Sequence, residues 1–153
     1  MNSEKRQSLL QQIGKASSVG RAGNVGLAGI IMLHTAAGAL AGDGISVRPI
    51  AKQTLEAIKQ AEVTVYYAVK TKDGSAIQDR VVWPLIRLIG KWPKYAEVKK
   101  SEFNLFACYH AADNLRNFAD LVVGPDNADR AEARDYYAAE YKVQIEDCEK
   151  LLK

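Results

Sequence analysis

Apolar residues recur every three or four positions through most of the chain beyond residue 46, and this spacing is typical of one buried helical face. Ser46 and Pro49 open the first such segment, and the turn signal KDGS at residues 72–75 closes it. Its apolar positions are Ala51, Leu55, Ile58, Ala61, Val65 and Val69. The pattern predicts a helix between these two signals.

The sequence of residues 62–82 is also compatible with a β-hairpin. The stretch VTVYYAV at residues 63–69 is rich in β-branched and aromatic side chains, and Asp73-Gly74 between two apolar runs is a hairpin signal. A lone two-stranded hairpin would be marginally stable. We therefore favour a helix here.

A second helix is predicted over residues 76–90. Its apolar residues are Ile77, Val81, Leu85, Leu88 and Ile89. Pro84 lacks a backbone donor and clashes with the preceding turn, so the helix should kink near Trp83 or restart with Pro84 at its first position. Because a residue before proline avoids helical geometry, Trp92-Pro93 should keep the helix ended by about Gly90.

Two further helices follow, over residues 100–123 and in the last part of the chain, separated by the turn signal GPDN at residues 124–127. Their apolar repeats are Leu105, Cys108, Ala112, Leu115, Ala119 and Val122, then Ala131, Ala138, Tyr141, Ile145, Cys148 and Leu152. Four amphipathic helices in sequence predict an all-α fold, an up-down four-helix bundle over about residues 46–152. An additional N-terminal apolar helix is expected before it.

The first 41 residues differ from the rest of the chain. A basic leader precedes residues 22–42, which carry no charge and are long enough to cross a bilayer. One interpretation is an export signal, with Ala39 and Ala41 forming an A-x-A cleavage pattern. The alternatives are a retained membrane or interface helix and an ordinary core helix. Residues 42–153 then form the bundle domain, and the protein is expected to be lumenal or membrane-associated.

Charge is distributed unevenly along the chain. The net charge is +3, but residues 70–100 hold eight Lys or Arg against three acids, while residues 101–153 hold six against eleven. A molecule with a basic segment and an acidic one can orient toward a charged partner. Two solvated helix faces without a partner are the alternative. The acidic tail argues against nucleic acid as a partner.

Both tryptophans lie at prolines within the basic segment. Trp83 and Trp92 have Arg87, Lys91 and Lys94 close by in sequence. Because Trp and Arg are enriched where protein interfaces bind most strongly, these five residues are the candidate partner-docking set. The alternative is that each Trp caps the bundle as a core residue.

The two cysteines, Cys108 and Cys148, lie on the apolar stripes of the last two helices. If these helices run back from a loop near residue 125, the pair is offset by about five residues, or about 7 Å at 1.5 Å per residue. A disulfide is one interpretation. Two separate buried thiols are the other, and we favour it.

Catalytic and cofactor-binding signatures are missing from the sequence. His34 and His110 are its only histidines, and neither belongs to a metal-binding or nucleophile motif. The residues therefore give no candidate catalytic site, metal site or cofactor. We expect a non-enzymatic protein that works by docking on protein subunits. A small regulatory protein that binds protein or nucleic acid, or an enzyme with a cryptic site near His110, is the alternative.

Several short fragments carry a resemblance to a known family. They are Asp79-Arg80-x-x-Trp83-Pro84, Leu105-Phe106, Asp113-Asn114-Leu115 and Ala133-x-x-Tyr136-Tyr137. Together they resemble the PsbQ-type extrinsic subunits of photosystem II, which are lumenal four-helix bundles. The helix after Trp83-Pro84 is shorter here than in that family. The resemblance implies a thylakoid protein that stabilises an oxygen-evolving complex, bound through basic residues such as Arg80, Arg87 and Lys91.

Overall fold

The computed structural model describes residues 44–125 and 127–153, and these residues form an all-α fold without β-strands. The all-α prediction is therefore confirmed for this part of the chain. The expected N-terminal helix and the features of residues 1–41 lie outside the described residues. The helices are α1 (Arg48–Thr71), α2 (Gly74–Ile77), a π-helical turn (Gln78–Val82), α3 (Trp83–Ile89), α4 (Phe106–Val122) and α5 (Ala128–Leu152). Short 3-10 turns occupy Tyr95–Glu97 and Lys100–Leu105.

The start of α1 is capped from a distant part of the chain. Pro49 lies in its first turn, and the cap residue Val47 supplies no side-chain bond. Instead, Glu102 accepts hydrogen bonds from the backbone N–H groups of Val47 (2.7 Å) and Arg48 (3.1 Å) and from the Ser46 hydroxyl. The free N–H groups at a helix start need acceptors, and this carboxylate provides one.

The stretch that suggested a hairpin is helical. α1 continues through residues 63–69 and ends at Lys72, which adopts the left-handed conformation (φ 56°) that commonly terminates helices. Asp73 then caps α2 by accepting from the Ala76 N–H at 3.0 Å. The Asp73-Gly74 signal thus marks a turn between two helices, and the helical prediction for residues 63–71 is confirmed.

Pro84 is accommodated inside a continuous second helix formed by α2, the π-helical turn and α3. The Trp83 N–H donates to the Gln78 carbonyl, five residues back, and Pro84 falls in the first turn of α3. The wider turn absorbs the register change that the missing donor and the ring of a proline require. The second helix ends at Gly90, as the Trp92-Pro93 pair predicts.

The last two helices are joined covalently. Cys108 of α4 and Cys148 of α5 form a disulfide with their Cα atoms 4.8 Å apart, so the interpretation as two separate thiols was wrong for this structure. Cys108 lies near the start of α4 and Cys148 near the end of α5, so the two helices run antiparallel. Asn127 caps α5, and Arg130 donates to the carbonyls of Asp120 and Leu121 at the end of α4.

Contacts at the helix ends fix the remaining directions. Arg48 reaches the Leu151 carbonyl, so the start of α1 meets the end of α5. Gln78 donates to Asp120 at 2.8 Å, which places the start of the second helix beside the end of α4. Neighbouring helices along the chain therefore alternate in direction. The second helix packs on α1 and α4, and α5 packs on the same two helices from the opposite corner.

Candidate docking face

Trp83 points away from the core because of its position on the second helix. The buried residues of this helix are Ile77, Val81, Val82, Leu85 and Leu88. Trp83 lies two residues beyond Val81, roughly half a turn further around the helix. Its side chain is 52% exposed, which is unusual for the largest apolar residue type.

Four exposed residues share this side of the helix with Trp83. Arg80 lies one turn before it, Ile86 and Arg87 lie one turn after it, and Lys91 lies a further turn on, just beyond the end of α3. Residues three or four apart are neighbours on a helix surface. We call Arg80, Trp83, Ile86, Arg87 and Lys91 the Trp83 face.

The Trp83 face is positively charged around an apolar centre. It carries three cationic side chains, with Asp79 as an exposed acid beside them. Hydrogen bonds from the Ala76 N–H and the Ser75 hydroxyl hold the pKa of Asp73 below its ordinary value, and Arg80 adds to this effect. Among the described residues, neither Arg87 nor Lys91 forms a salt bridge, and both side chains are exposed.

Trp92 has a different environment from Trp83. It is 9% exposed, and its indole N–H donates to Thr54 Oγ1 at 3.1 Å. Its ring packs against Phe106 at 5.2 Å and Tyr109 at 5.8 Å between centroids. Trp92 is thus a core residue that ties the end of the second helix to α1 and α4, and we remove it from the docking set.

Lys94 is exposed but lies past the second helix. Its backbone N–H donates to Glu97 Oε2 at 3.0 Å, in the short turn that follows Pro93. Of the five residues predicted to dock, the structure therefore places Trp83, Arg87 and Lys91 on one face. Ile86 belongs to that face and was not predicted. The sequence could have indicated Ile86, because it is an apolar residue that lies off the buried stripe of its helix, three positions after Trp83.

His110 lines an open groove between α4 and α5. The groove has a volume of about 500 Å³, and its walls include Tyr95, Phe106, Asp147 and Lys150. Asp147 and Lys150 pair at 3.6 Å, and both side chains are more than half exposed. His110 is also exposed, and its ring packs on Tyr109 at 5.2 Å. His110, Asp147 and Lys150 thus line the same groove, and all three are exposed to water.

In residues 44–125 and 127–153, no three His, Cys, Asp or Glu side chains are grouped so that they could hold a metal ion. None of the helices in the same residues has both the length and the apolar composition needed to span a bilayer.

Comparison of the chain with protein-family models, curated proteins and solved structures found no match. The resemblance to PsbQ-type subunits remains a prediction.

Proposed function

We propose that this chain is a non-enzymatic accessory subunit, and that it docks through the Trp83 face on an acidic surface of a larger, membrane-associated protein complex. The observation that carries the proposal is the half-exposed Trp83 among Arg80 and Arg87. Trp and Arg contribute the largest single free energies to protein interfaces, and they do so when a partner excludes water from them.

The rest of the fold supports a docking role. The up-down four-helix bundle, closed by the Cys108–Cys148 disulfide, holds the second helix on α1 and α4. A face on a rigid helix loses little conformational entropy on binding, so more of the contact free energy remains as affinity. Cationic residues around Trp83 would speed association with an acidic surface.

The resemblance to PsbQ-type subunits suggests a specific complex. On that proposal the chain is lumenal in the thylakoid, its partners are protein subunits of photosystem II, and residues 22–42 can add a membrane contact. The binding surface remains the Trp83 face in either case. A partner outside photosynthesis would leave the docking role intact and remove only this assignment.

Site-specific photocrosslinking in the native source tests the docking role. A photoreactive phenylalanine is placed at Trp83 and, as a matched control, at Tyr67, which is 55% exposed and belongs to another helix, α1. We expect position 83 to crosslink to one acidic subunit, which mass spectrometry identifies, and position 67 to give no such product. The same protein crosslinked at both positions would contradict the proposal.

Affinity for the identified subunit gives the second readout. Trp83→Ala should weaken binding by about 30-fold, which corresponds to a hot spot of roughly 2 kcal/mol. Arg87→Glu should lower the association rate and the salt dependence of that rate. Tyr67→Ala and Lys52→Glu on α1 are the controls and should change neither. If Trp83→Ala binds as tightly as the unmodified chain, the Trp83 face is not the docking surface.

A further inference from the structure

The outer side of α5 carries a second exposed stripe. Its residues are Asp129, Glu132, Tyr136, Ala139, Val143 and Glu146, and all six are exposed. They follow one another at alternating spacings of three and four, so they form a single line along the helix. We call these six residues the α5 face.

Apolar side chains therefore lie on two opposite sides of α5. Its inner side buries Ala138, Tyr141, Ile145 and Cys148. On the outer side, Tyr136 is 59% exposed and Val143 is 57% exposed. A surface helix that packs on one core usually has a single apolar stripe. The second stripe leaves an apolar surface open to water on the outer side of α5.

The shape of the α5 face fits one large side chain. Ala139 lies between Tyr136 and Val143, one turn from each, so a small residue separates two larger ones. Such a gap is the kind of hole that receives a side chain from a facing helix. Trp83, with one turn of helix on either side of it, is an exposed residue of the required size.

The charges on the two faces are complementary. Asp129, Glu132 and Glu146 place negative charge at both ends of the α5 face. Arg80 and Arg87 place positive charge on both sides of Trp83. Contact between the faces would thus set an apolar centre against an apolar centre and cations against acids. Complementarity of this kind selects partners and orients them.

The two faces cannot meet within one molecule. The second helix and α5 occupy opposite corners of the bundle, each packed on α1 and α4, so their outer sides point away from each other. We propose that the α5 face binds the Trp83 face of a second copy of this chain, so that copies assemble head to tail. This inference goes beyond the proposed function: it uses the same Trp83 face, but the partner is a second copy of the chain, and the two ideas are tested separately.

Such contacts are heterologous, since each copy uses two different surfaces. A heterologous contact leaves one free face at each end, and copies add until the assembly closes into a ring or continues as a chain. A symmetric dimer through two Trp83 faces would instead set cations against cations. The charge pattern therefore favours head-to-tail assembly over that dimer.

Sedimentation velocity of the purified full-length chain, over a range of concentrations at low and high salt, tests the proposal. We expect oligomers that grow with protein concentration at low salt and dissociate at high salt, because salt screens exposed charges. Trp83→Ala should shift the association to concentrations at least about tenfold higher. Tyr67→Ala should leave it unchanged.

A charge swap distinguishes this interface from nonspecific association. Variant A carries Arg80→Glu and Arg87→Glu, and variant B carries Glu132→Lys and Glu146→Lys. Each alone should remain monomeric, because its two faces then have the same sign. An equimolar mixture of A and B should assemble again, since every contact between the two variants pairs opposite charges.

Three results would overturn the inference. They are a chain that stays monomeric at low salt and high concentration, a mixture of A and B that stays monomeric, and association that variant A loses while variant B keeps it. The last result would indicate a symmetric dimer. If the chain is monomeric but photocrosslinking at Trp83 still captures an acidic subunit, self-assembly is refuted and the docking role survives. If crosslinking at Trp83 captures no acidic subunit while the mixture of A and B assembles, the docking role is refuted and self-assembly survives.

Discussion

The hydroxyl of Tyr141 donates a 2.6 Å hydrogen bond to Glu62 Oε1, and this pair joins α5 to α1 in the middle of the bundle. Tyr141 is 1% exposed and Glu62 is fully buried. A carboxyl group removed from water is costly unless hydrogen bonds replace its hydration. The pair therefore specifies how α1 and α5 are aligned, in addition to its contribution to stability.

Replacing the Tyr141 hydroxyl tests this contribution. Tyr141→Phe keeps the ring but removes the donor to Glu62, and we expect the free energy of unfolding to fall by about 1–3 kcal/mol. Tyr137→Phe is the control, because Tyr137 lies one turn before Tyr141 on α5 and is only partly buried. Urea unfolding of both variants measures the difference. Equal effects would show that the hydrogen bond to Glu62 contributes nothing specific.

Glu62 illustrates what the sequence can and cannot predict. It lies four positions after Ile58 and three before Val65, which places an acid on the apolar stripe of α1. That spacing could have marked Glu62 as buried. It could not have identified Tyr141, which is 79 residues away in sequence, because hydrogen bonds between helices depend on how the helices pack.

The disulfide between Cys108 and Cys148 should be a major source of stability. Its two cysteines are 40 residues apart in sequence, and a loop of that length restricts the unfolded chain by about 4 kcal/mol in the chain-entropy model. In the double variant Cys108→Ala with Cys148→Ala, we expect the free energy of unfolding to fall by about this amount. Reducing agent should lower the urea midpoint of the unmodified chain and leave that of the double variant unchanged. Insensitivity of the unmodified chain to reduction would contradict the prediction.

Thr54 is the acceptor for the only buried indole among the described residues. Its Oγ1 accepts from Trp92 Nε1 at 3.1 Å and donates to the Ile50 carbonyl at 2.8 Å. Thr54→Val keeps the shape but leaves the indole N–H without this acceptor, so we expect a loss of about 1–3 kcal/mol in unfolding free energy. Thr64→Val is the matched control on α1, since the Thr64 hydroxyl donates within its own helix, to the Gln60 carbonyl. Similar losses for both variants would argue against a special role for the Trp92 bond.

The two tryptophans show where local sequence stops being informative. Both precede a proline and both lie in the basic segment, so the sequence alone assigned them one role. The π-helical turn keeps Trp83 inside a helix and turned outward, whereas the chain beyond Gly90 turns Trp92 toward Thr54. Helix boundaries followed from apolar spacing and proline, but the side each Trp faces depended on the π-helical turn before Pro84 and on the turn of the chain after Gly90.

Gly44 lies where the chain enters the bundle and should resist substitution. Ile45 exchanges backbone hydrogen bonds with Glu97 and Lys99, and a Cβ on Gly44 would lie 2.7 Å from the backbone carbon of Val98. Backbone cannot move aside as a flexible side chain can, so Gly44→Ala should lower the unfolding free energy by about 1–3 kcal/mol. Gly90→Ala is the control, because the nearest atom to its new Cβ would be at an ordinary 3.5 Å. A thermal unfolding midpoint for Gly44→Ala equal to that of Gly90→Ala would refute the close approach.

Glu102 should make stability depend on pH in the acid range. Partial burial alone would raise its pKa, but hydrogen bonds from Val47, Ser46 and Arg48 outweigh that effect, and the pKa lies below its ordinary value of 4.5. Because the folded state binds the proton of Glu102 less tightly than the unfolded state does, its stabilisation is complete above pH 4.5 and is lost as the pH falls below it.

Comparison with Glu102→Gln measures this dependence. The variant cannot ionise, so its urea midpoint should lie below that of the unmodified chain at neutral pH, and the gap should narrow as the pH falls through the acid range. Glu56→Gln on α1 is the control, because Glu56 is exposed and pairs with the exposed Lys59 at 3.5 Å. Exposed pairs of this kind contribute little, so that gap should stay small at every pH. A gap for Glu102→Gln that is independent of pH would show that the carboxylate charge does not stabilise the start of α1.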